Sequence, residues 1–211
     1  INYYTRNEKK YKRLELGSLD ETNIKNYKQK KLIYEKIKDD YIMAKISGNE
    51  YCTDYTKEFL SNIDTKKIAT ITDAEYIDIN GKRYCVNETN KIIHEFNEVP
   101  VAEWIKNKLH MDVEYLPNIG EDKNVKLGDY LVDKKEIWEL KTIKGNGSRT
   151  LDSAVKEKKG QSSIFILDIT YTEMEDTEAI KQAFDVFRRR DWINEIILKR
   201  KNNILKVYKR K

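Results

Sequence analysis

Three ionisable residues, Asp129, Glu139 and Lys141, stand in the stretch "GDYLVDKKEIWELKTIKG" (128–145), where two short strand-like runs would turn them inward. Side chains alternate along a strand, so Ile137, Glu139 and Lys141 share one face of the second run while Trp138 and Leu140 share the other. The intervening "DKK" (133–135) is short enough to fold the runs back on each other, bringing Asp129 opposite the Glu139 to Lys141 segment. Burying an unpaired charge is expensive. Two carboxylates one residue-width apart, however, hold a hard cation such as Mg²⁺ through oxygen ligands, and the cation relieves their repulsion. The ion can activate a water at a phosphate while the neighbouring ammonium supports the attacking or leaving oxygen. The chemistry implied is metal-dependent phosphodiester cleavage, and the competing reading is an exposed hairpin with an ordinary ion pair.

Flanking elements extend this cluster. "NEVPVAEWIKNKLH" reads as a helix capped by Asn97, with Pro100 tolerated in the first turn. Its apolar stripe Val101, Ala102, Ile105 and Leu109 continues one turn back to Glu98, while Glu103, Lys106 and His110 lie opposite. Glu98 therefore points toward the sheet as a further carboxylate. After the hairpin a helix from about Leu151 to Ser162 leads from Leu151, Ala154 and Val155 to Lys158 and Gln161 on the same side. Those two are placed to contact a scissile phosphate or orient water; the alternative is a snorkelling Lys and a helix-terminal Gln. The loop "KGNGSRT" lacks the Gly-Lys-Ser ending of a P-loop. It either carries Arg149 and Thr150 to substrate phosphates, with Thr142 and Lys144 at its start, or simply connects.

The remaining pattern supplies the frame. Strands are expected at "DVEYLP", "DYLVD", "EIWELKT", "SIFILDIT", "INEIILKR" and "ILKVYKR", and a helix over about 176–190 with Ile180, Ala183, Phe184 and Phe187 on one face. This order argues an α/β (α+β) domain on one central mixed sheet flanked by helices. Earlier in the chain, Ile33, Ile37, Tyr41 and Ala44 recur at helical spacing over Glu21 to Ser47, with Asp20 as N-cap. A shorter helix follows in "TDYTKEFLSNI", then a hairpin about Asn80-Gly81. Two regions are expected, 1–90 with no visible chemistry and 91–211 with the charged cluster.

Charged residues at 36% against 39% hydrophobic imply a heavily solvated surface, and no apolar run of about 18 residues suggests a membrane span. The opening stretch has no apolar core of a signal peptide, and a chain beginning with Ile is expected to be part of something longer. Cys52 and Cys85 fit neither a disulfide framework nor a zinc site and read as free thiols in a reducing compartment. The net charge of +5 is modest, but Arg188, Arg189 and Arg190, "KRK" at 199–201 and "KVYKRK" at 206–211 cluster late in the chain. Such clustering favours nucleic acid as partner; the plainer reading is solvated strand edges. His94 and His110 lack metal-ligand spacing, which leaves a metal-free ribonuclease using His94 as an alternative.

The helix with Glu98, then "GDYLVDKKEIWELKT", "KEKKGQSSIFILDIT" and the basic terminal hairpin, resemble the PD-(D/E)XK nuclease superfamily over roughly 92–211. More closely they look like the tRNA nuclease domains at the C-termini of contact-dependent growth inhibition toxins and of some phage minor head proteins. By that resemblance Asp129, Glu139 and Lys141 take the motif positions, Glu98 fits the helix glutamate, and Lys158 with Gln161 matches a "KxxQ" pair. Gly128 replaces the usual Pro, which is expected to free the backbone without removing a ligand. The resemblance implies a restriction-endonuclease-like core with a divalent metal, Mg²⁺ or Mn²⁺ or Zn²⁺, held by Asp129, Glu139 and Glu98. It further implies an endonuclease acting on RNA, tRNA in particular, as an antibacterial toxin or phage-encoded effector. Such a domain works in the cytoplasm of a target or host cell, delivered as the C-terminal part of a larger protein or carried in a virion. A toxin of this kind needs an immunity protein, expected to be acidic. The alternatives are a DNA endonuclease of the same fold and a non-enzymatic phage structural module.

Overall fold

The apolar run "IFILD" becomes strand Ile164–Asp168, buried at all but its first position, inside an eight-stranded sheet. A strand apolar on both sides needs cover on both faces, and helices and a hairpin supply it. The computed structural model describes residues 2–3, 12–13, 27–33, 50–79, 81–88, 91–117, 119 and 127–211. The chain divides into two units, Ile1–Lys45 and Ile46–Lys211. In the first, β1 (Asn2–Tyr3) pairs antiparallel with β2 (Lys12–Arg13), and a helix α1 covers 27–33. The rest of the helix expected over Glu21 to Ser47 lies outside the described residues.

The second unit runs β3 (Cys52–Asp54), α2 (Thr56–Ser61), β4 (Ile71–Asp73), β5 (Tyr76–Ile79), β6 (Lys82–Cys85) and α3 (Val99–Trp104), which continues as a π-helical turn over Ile105–Leu109. Then come β7 (Val113–Tyr115), β8 (Tyr130–Val132), β9 (Glu136–Thr142), α4 (Thr150–Lys156), β10 (Ile164–Asp168), α5 (Asp176–Arg189), β11 (Glu195–Arg200) and β12 (Asn203–Arg210). The sheet order is β3-β12-β11-β10-β9-β8-β7-β4. Strands β9, β10 and β11 run parallel, as does the β4–β7 pair, and the other neighbours are antiparallel, giving the mixed α/β architecture.

Alternation along β8 and β9 sorts the two faces. Tyr130, Val132, Trp138 and Leu140 join Val101, Ala102, Trp104, Ile105 and Leu109 of the α3 segment in one core. Leu131 and Ile137, on the opposite face, pack with Ile77 of the β5–β6 hairpin, Leu116 and Ile119. On that same side Phe187 of α5 meets Tyr208 of β12 edge to face, with ring centroids 6.3 Å apart. Among the described residues no helix is long and apolar enough to cross a membrane.

Strand β3 pairs with β12 and β4 with β7, so both edges of the sheet come from residues before 90. Two expectations change. Asn97 is not the cap of α3; Glu98 holds that position without a side-chain capping bond, and Asn97 Nδ2 donates to Thr142 Oγ1 at 3.3 Å. The helix expected from Leu151 to Ser162 ends at Lys156, and Gly160 takes φ +90°, so Lys158 and Gln161 sit on turns between α4 and β10. A turn there aims each side chain separately instead of along one helical stripe.

Candidate active site

The β8–β9 ladder pairs Tyr130 with Trp138, Leu131 with Ile137 and Val132 with Glu136, so Asp129 falls opposite Glu139 at the point where the ladder ends. Asp133 and Lys134 adopt left-handed φ of 50° and 55°, making the tight turn that fixes this register. Asp129 still donates its backbone N–H to Trp138 O at 3.0 Å, but its carbonyl turns away to accept Leu116 N–H at 3.2 Å. Leu140 N–H, one step past the ladder, is taken instead by Asp129 Oδ2 at 2.7 Å. The carboxylate thus completes the strand it faces, which locks its rotamer beside Glu139.

Glu139 has no solvent exposure. Its Oε1 lies 2.7 Å from Lys141 Nζ and 3.4 Å from Lys158 Nζ in ion pairs, and its Oε2 has no hydrogen-bond donor among the described residues. A buried acceptor left unmade is destabilising by about 1–3 kcal/mol, more when charged, so such an atom asks for a ligand. Burial first, and then the Glu139 charge, push the Asp129 carboxyl up to about 7, against the pull of the Leu140 N–H. Glu98 is half-buried and its carboxyl is also raised, by burial foremost, with the charges of Glu95 and Glu139 adding to it. Tyr130 Oη donates to the Glu98 carbonyl at 2.9 Å, tying the start of α3 to the site strand. Burial works against the Lys158 ammonium, yet the Glu139 carboxylate outweighs it and raises its pKa.

These groups fit a divalent cation in a restricted way. Among the described residues no three His, Cys, Asp or Glu side chains converge tightly enough to hold an ion. An ion bound here would take Asp129 and Glu139 and complete its shell with water and phosphate oxygens, the habit of Mg²⁺. Glu98, expected as a further ligand, stands in the electrostatic field of both without completing a three-residue set.

The raised Asp129 pKa has a testable sign. Between about pH 4 and pH 7 the folded protein keeps a proton that the unfolded chain has released, so metal-free stability from this group falls as pH rises through that window. Urea titrations in EDTA across that range are expected to show the decline, and Asp129→Asn to flatten it. A second prediction concerns Gly128. A Cβ there would lie 2.8 Å from both Ile137 Cγ2 and Trp138 O, so the backbone before Asp129 is pressed onto β9 and not freed, contrary to the sequence expectation. Gly128→Ala is expected to cost about 1–3 kcal/mol as overpacking and to shift Asp129, read by denaturant midpoint together with metal affinity.

The remaining expected contacts separate. Thr142 Oγ1 is engaged by Asn97, Lys144 and Arg149 are exposed, and Thr150 is half-buried as the first residue of α4. Gln161 has a buried Oε1 without a hydrogen-bond partner among the described residues. Arg190 grips Asp152 through Nε and Nη2 at 2.8 and 3.0 Å, Arg188 meets Asp185 at 3.2 Å, and Arg189 is exposed. In the terminal strands Arg200 binds Asp176 at 2.7 Å and the carbonyls of Thr172 and Met174, while Arg210 binds the carbonyls of Ile193, Phe187 and Arg190. Much of the late basic cluster therefore ties the fold together. The two histidines have separate partners, His94 Nε2 with Asp73 Oδ1 at 2.7 Å and His110 Nδ1 with Lys67 O at 3.1 Å. What the sequence did not foresee is that the β5–β6 hairpin packs on the face that carries Glu139, through Ile77 against Leu131 and Ile137.

Residues 126–204 match the family model described as the contact-dependent growth inhibition CdiA C-terminal domain. That stretch holds Asp129, Glu139, Lys141, Lys158 and Gln161 but not Glu98. Among solved structures, a chain of the CdiA-CT/CdiI toxin and immunity complex from Burkholderia pseudomallei is similar at 16% identity with a TM-score of 0.41, over 67% of this chain and 99% of that one. Comparison with curated proteins gave no match.

Proposed function

We propose that the second unit is the endonuclease domain of an antibacterial toxin, hydrolysing RNA, with tRNA as the substrate class, in a divalent-metal-dependent reaction. The observation that carries this reading is the pair of carboxylates, Asp129 and Glu139, aligned across the end of the β8–β9 ladder with the Lys141 ammonium on Glu139 Oε1. The similarity of residues 126–204 to the CdiA C-terminal domain supports the toxin role. Asp129 and Glu139 would hold the metal, which when bound supplies water activation and charge stabilisation at phosphorus. Lys141, oriented by Glu139, presents its ammonium where charge develops on the phosphate in the transition state. Lys158, on the same carboxylate oxygen, adds a second ammonium beside Glu139 at 3.4 Å. Gln161, with a free acceptor at Oε1, orients a water. Such a domain reaches the cytoplasm of a target cell as the C-terminal part of a larger protein, and its producer carries an acidic immunity protein.

Incubation of the purified chain with total RNA or plasmid, in Mg²⁺ or Mn²⁺ and in EDTA, tests the reading. Discrete RNA fragments in metal and intact RNA in EDTA are expected. Cleavage that persists in EDTA and disappears in His94→Ala would establish the metal-free ribonuclease instead, and cutting of plasmid alone would reassign the substrate to DNA.

A further inference from the structure

Arg149 and Arg189 differ from the other arginines late in the chain. Where Arg188, Arg190 and Arg200 each have a carboxylate and Arg210 three carbonyls, Arg149 and Arg189 form no ion pair among the described residues. Both line one open depression with Ser148, Asp152, Gln182 and Asp185. Its two carboxylates are already matched, Asp152 by the two-pronged grip of Arg190 and Asp185 by Arg188, which leaves two positive charges uncompensated.

The depression is also held in shape. Gln182, only 3% exposed, accepts Leu151 N–H through Oε1 at 3.2 Å and donates through Nε2 to Gly147 O at 2.9 Å and Glu178 Oε1 at 3.0 Å. Thr172 Oγ1 donates to Gly145 O at 2.6 Å and fixes the other end of the same loop. The backbone bearing Arg149 is thus fastened to α5, which bears Arg189. Two guanidiniums on anchored backbone, with no acceptor among the described residues, match the oxygens of a phosphate diester, which planar N–H forks bind in preference to a point cation.

We infer that Arg149 and Arg189 form a second phosphate subsite, distinct from the cleavage centre, for a backbone phosphate of the nucleic acid substrate; this rests on the endonuclease reading. The subsite lies at the start of α4, and Lys158, which reaches Glu139, lies just past its end. A seven-residue helix is about 10 Å long, so the phosphate gripped here is not the scissile one but another along the substrate. Exposed Lys144 stands on the loop between the site strand and this depression, so basic groups run along connected backbone from one to the other. An acidic protein surface is the rival occupant, and the experiment separates the two.

The test uses the Glu139→Gln chain, which leaves RNA uncut, and measures binding of a labelled tRNA transcript from about 50 to about 200 mM salt. Adding Arg149→Ala and Arg189→Ala is expected to weaken binding about tenfold at low salt. It is also expected to flatten the slope of log affinity against log salt by about 1.4–1.8, two contacts at about 0.7 each on single-stranded or about 0.9 each on paired segments. Arg189→Glu alone, at an exposed site that folding does not need, is expected to reproduce half or more of the loss. In the cleaving parent the double substitution raises KM and leaves kcat near its original value. An unchanged affinity and slope in both variants would overturn the subsite and leave the pair to a protein partner. A parent that neither binds nor cuts RNA would fail the endonuclease reading itself, and the subsite with it.

Discussion

Glu139→Gln is expected to reduce cleavage by about 10³-fold or more, the scale of losing a preorganised electrostatic group, while the folded protein stays as stable as before or gains stability. The two halves of that outcome have one cause. Glu139 is fully buried, and its Oε2 has no donor among the described residues, so the carboxylate is held in a place that penalises its charge. Gln keeps the shape and removes the charge. Lys141 and Lys158, with side chains 20% and 34% exposed, can then turn to water. Single-turnover cleavage and thermal unfolding in EDTA measure both halves. Mg²⁺ is expected to raise the unfolding temperature of the parent and not of the variant, because only a bound ligand shifts the equilibrium. A variant that cuts at the parental rate would remove Glu139 from the chemistry.

Lys199→Met is expected to lower stability by about 3–5 kcal/mol, the usual result of leaving one half of a buried ion pair alone. Asp168, at the end of β10, and Lys199 in β11 are 4% and 3% exposed, and Lys199 Nζ lies 2.8 Å from Asp168 Oδ2. Asp168 Oδ1 accepts Thr170 N–H at 2.9 Å, and the Lys199 ammonium lies 5.1 Å from the centroid of the Trp104 ring. The pair therefore joins the two central parallel strands to α3. Since small proteins are stable by only about 5–15 kcal/mol, the single substitution removes a large share. Asp168→Leu combined with Lys199→Met is expected to recover most of it, because no charge is then left unpaired. Urea midpoints of the parent, single and double variants measure the cycle, and a single variant with a parental midpoint would show that water already reaches Asp168.

The parts of the fold that were legible were those set by a local period. Alternation in "DYLVD" and "EIWELKT", together with a short polar turn, placed Asp129 opposite Glu139, where the ladder register has it. The helical stripe of Val101, Ala102, Ile105 and Leu109 turned Glu98 toward the sheet, and it is half-buried beside Tyr130. What stayed hidden depends on distant partners. Strands β3 and β4 have three residues each, too few for a period to register, yet they form both edges of the sheet. A linear run such as "RRR" gives no sign that Arg190 will meet Asp152 while Arg189 meets no carboxylate among the described residues. Gly128 was legible as a departure from a motif, but its reason, the close approach of β9, exists only once the strands are paired.

The pairing of β3 with β12 bears on when the domain can finish folding. Thr53 Oγ1 donates to Lys209 O at 3.4 Å across 156 positions of sequence, so the earliest strand of the sheet waits for the latest. Contacts this far apart raise contact order and slow the search for the native state. The strands bearing Asp129 and Glu139 are neighbours in sequence and can assemble early, whereas their sheet closes only when residues 203–210 arrive. A chain interrupted shortly before that point keeps every carboxylate of the site but presents β11 as an open border, prone to pair with other chains instead of its own end.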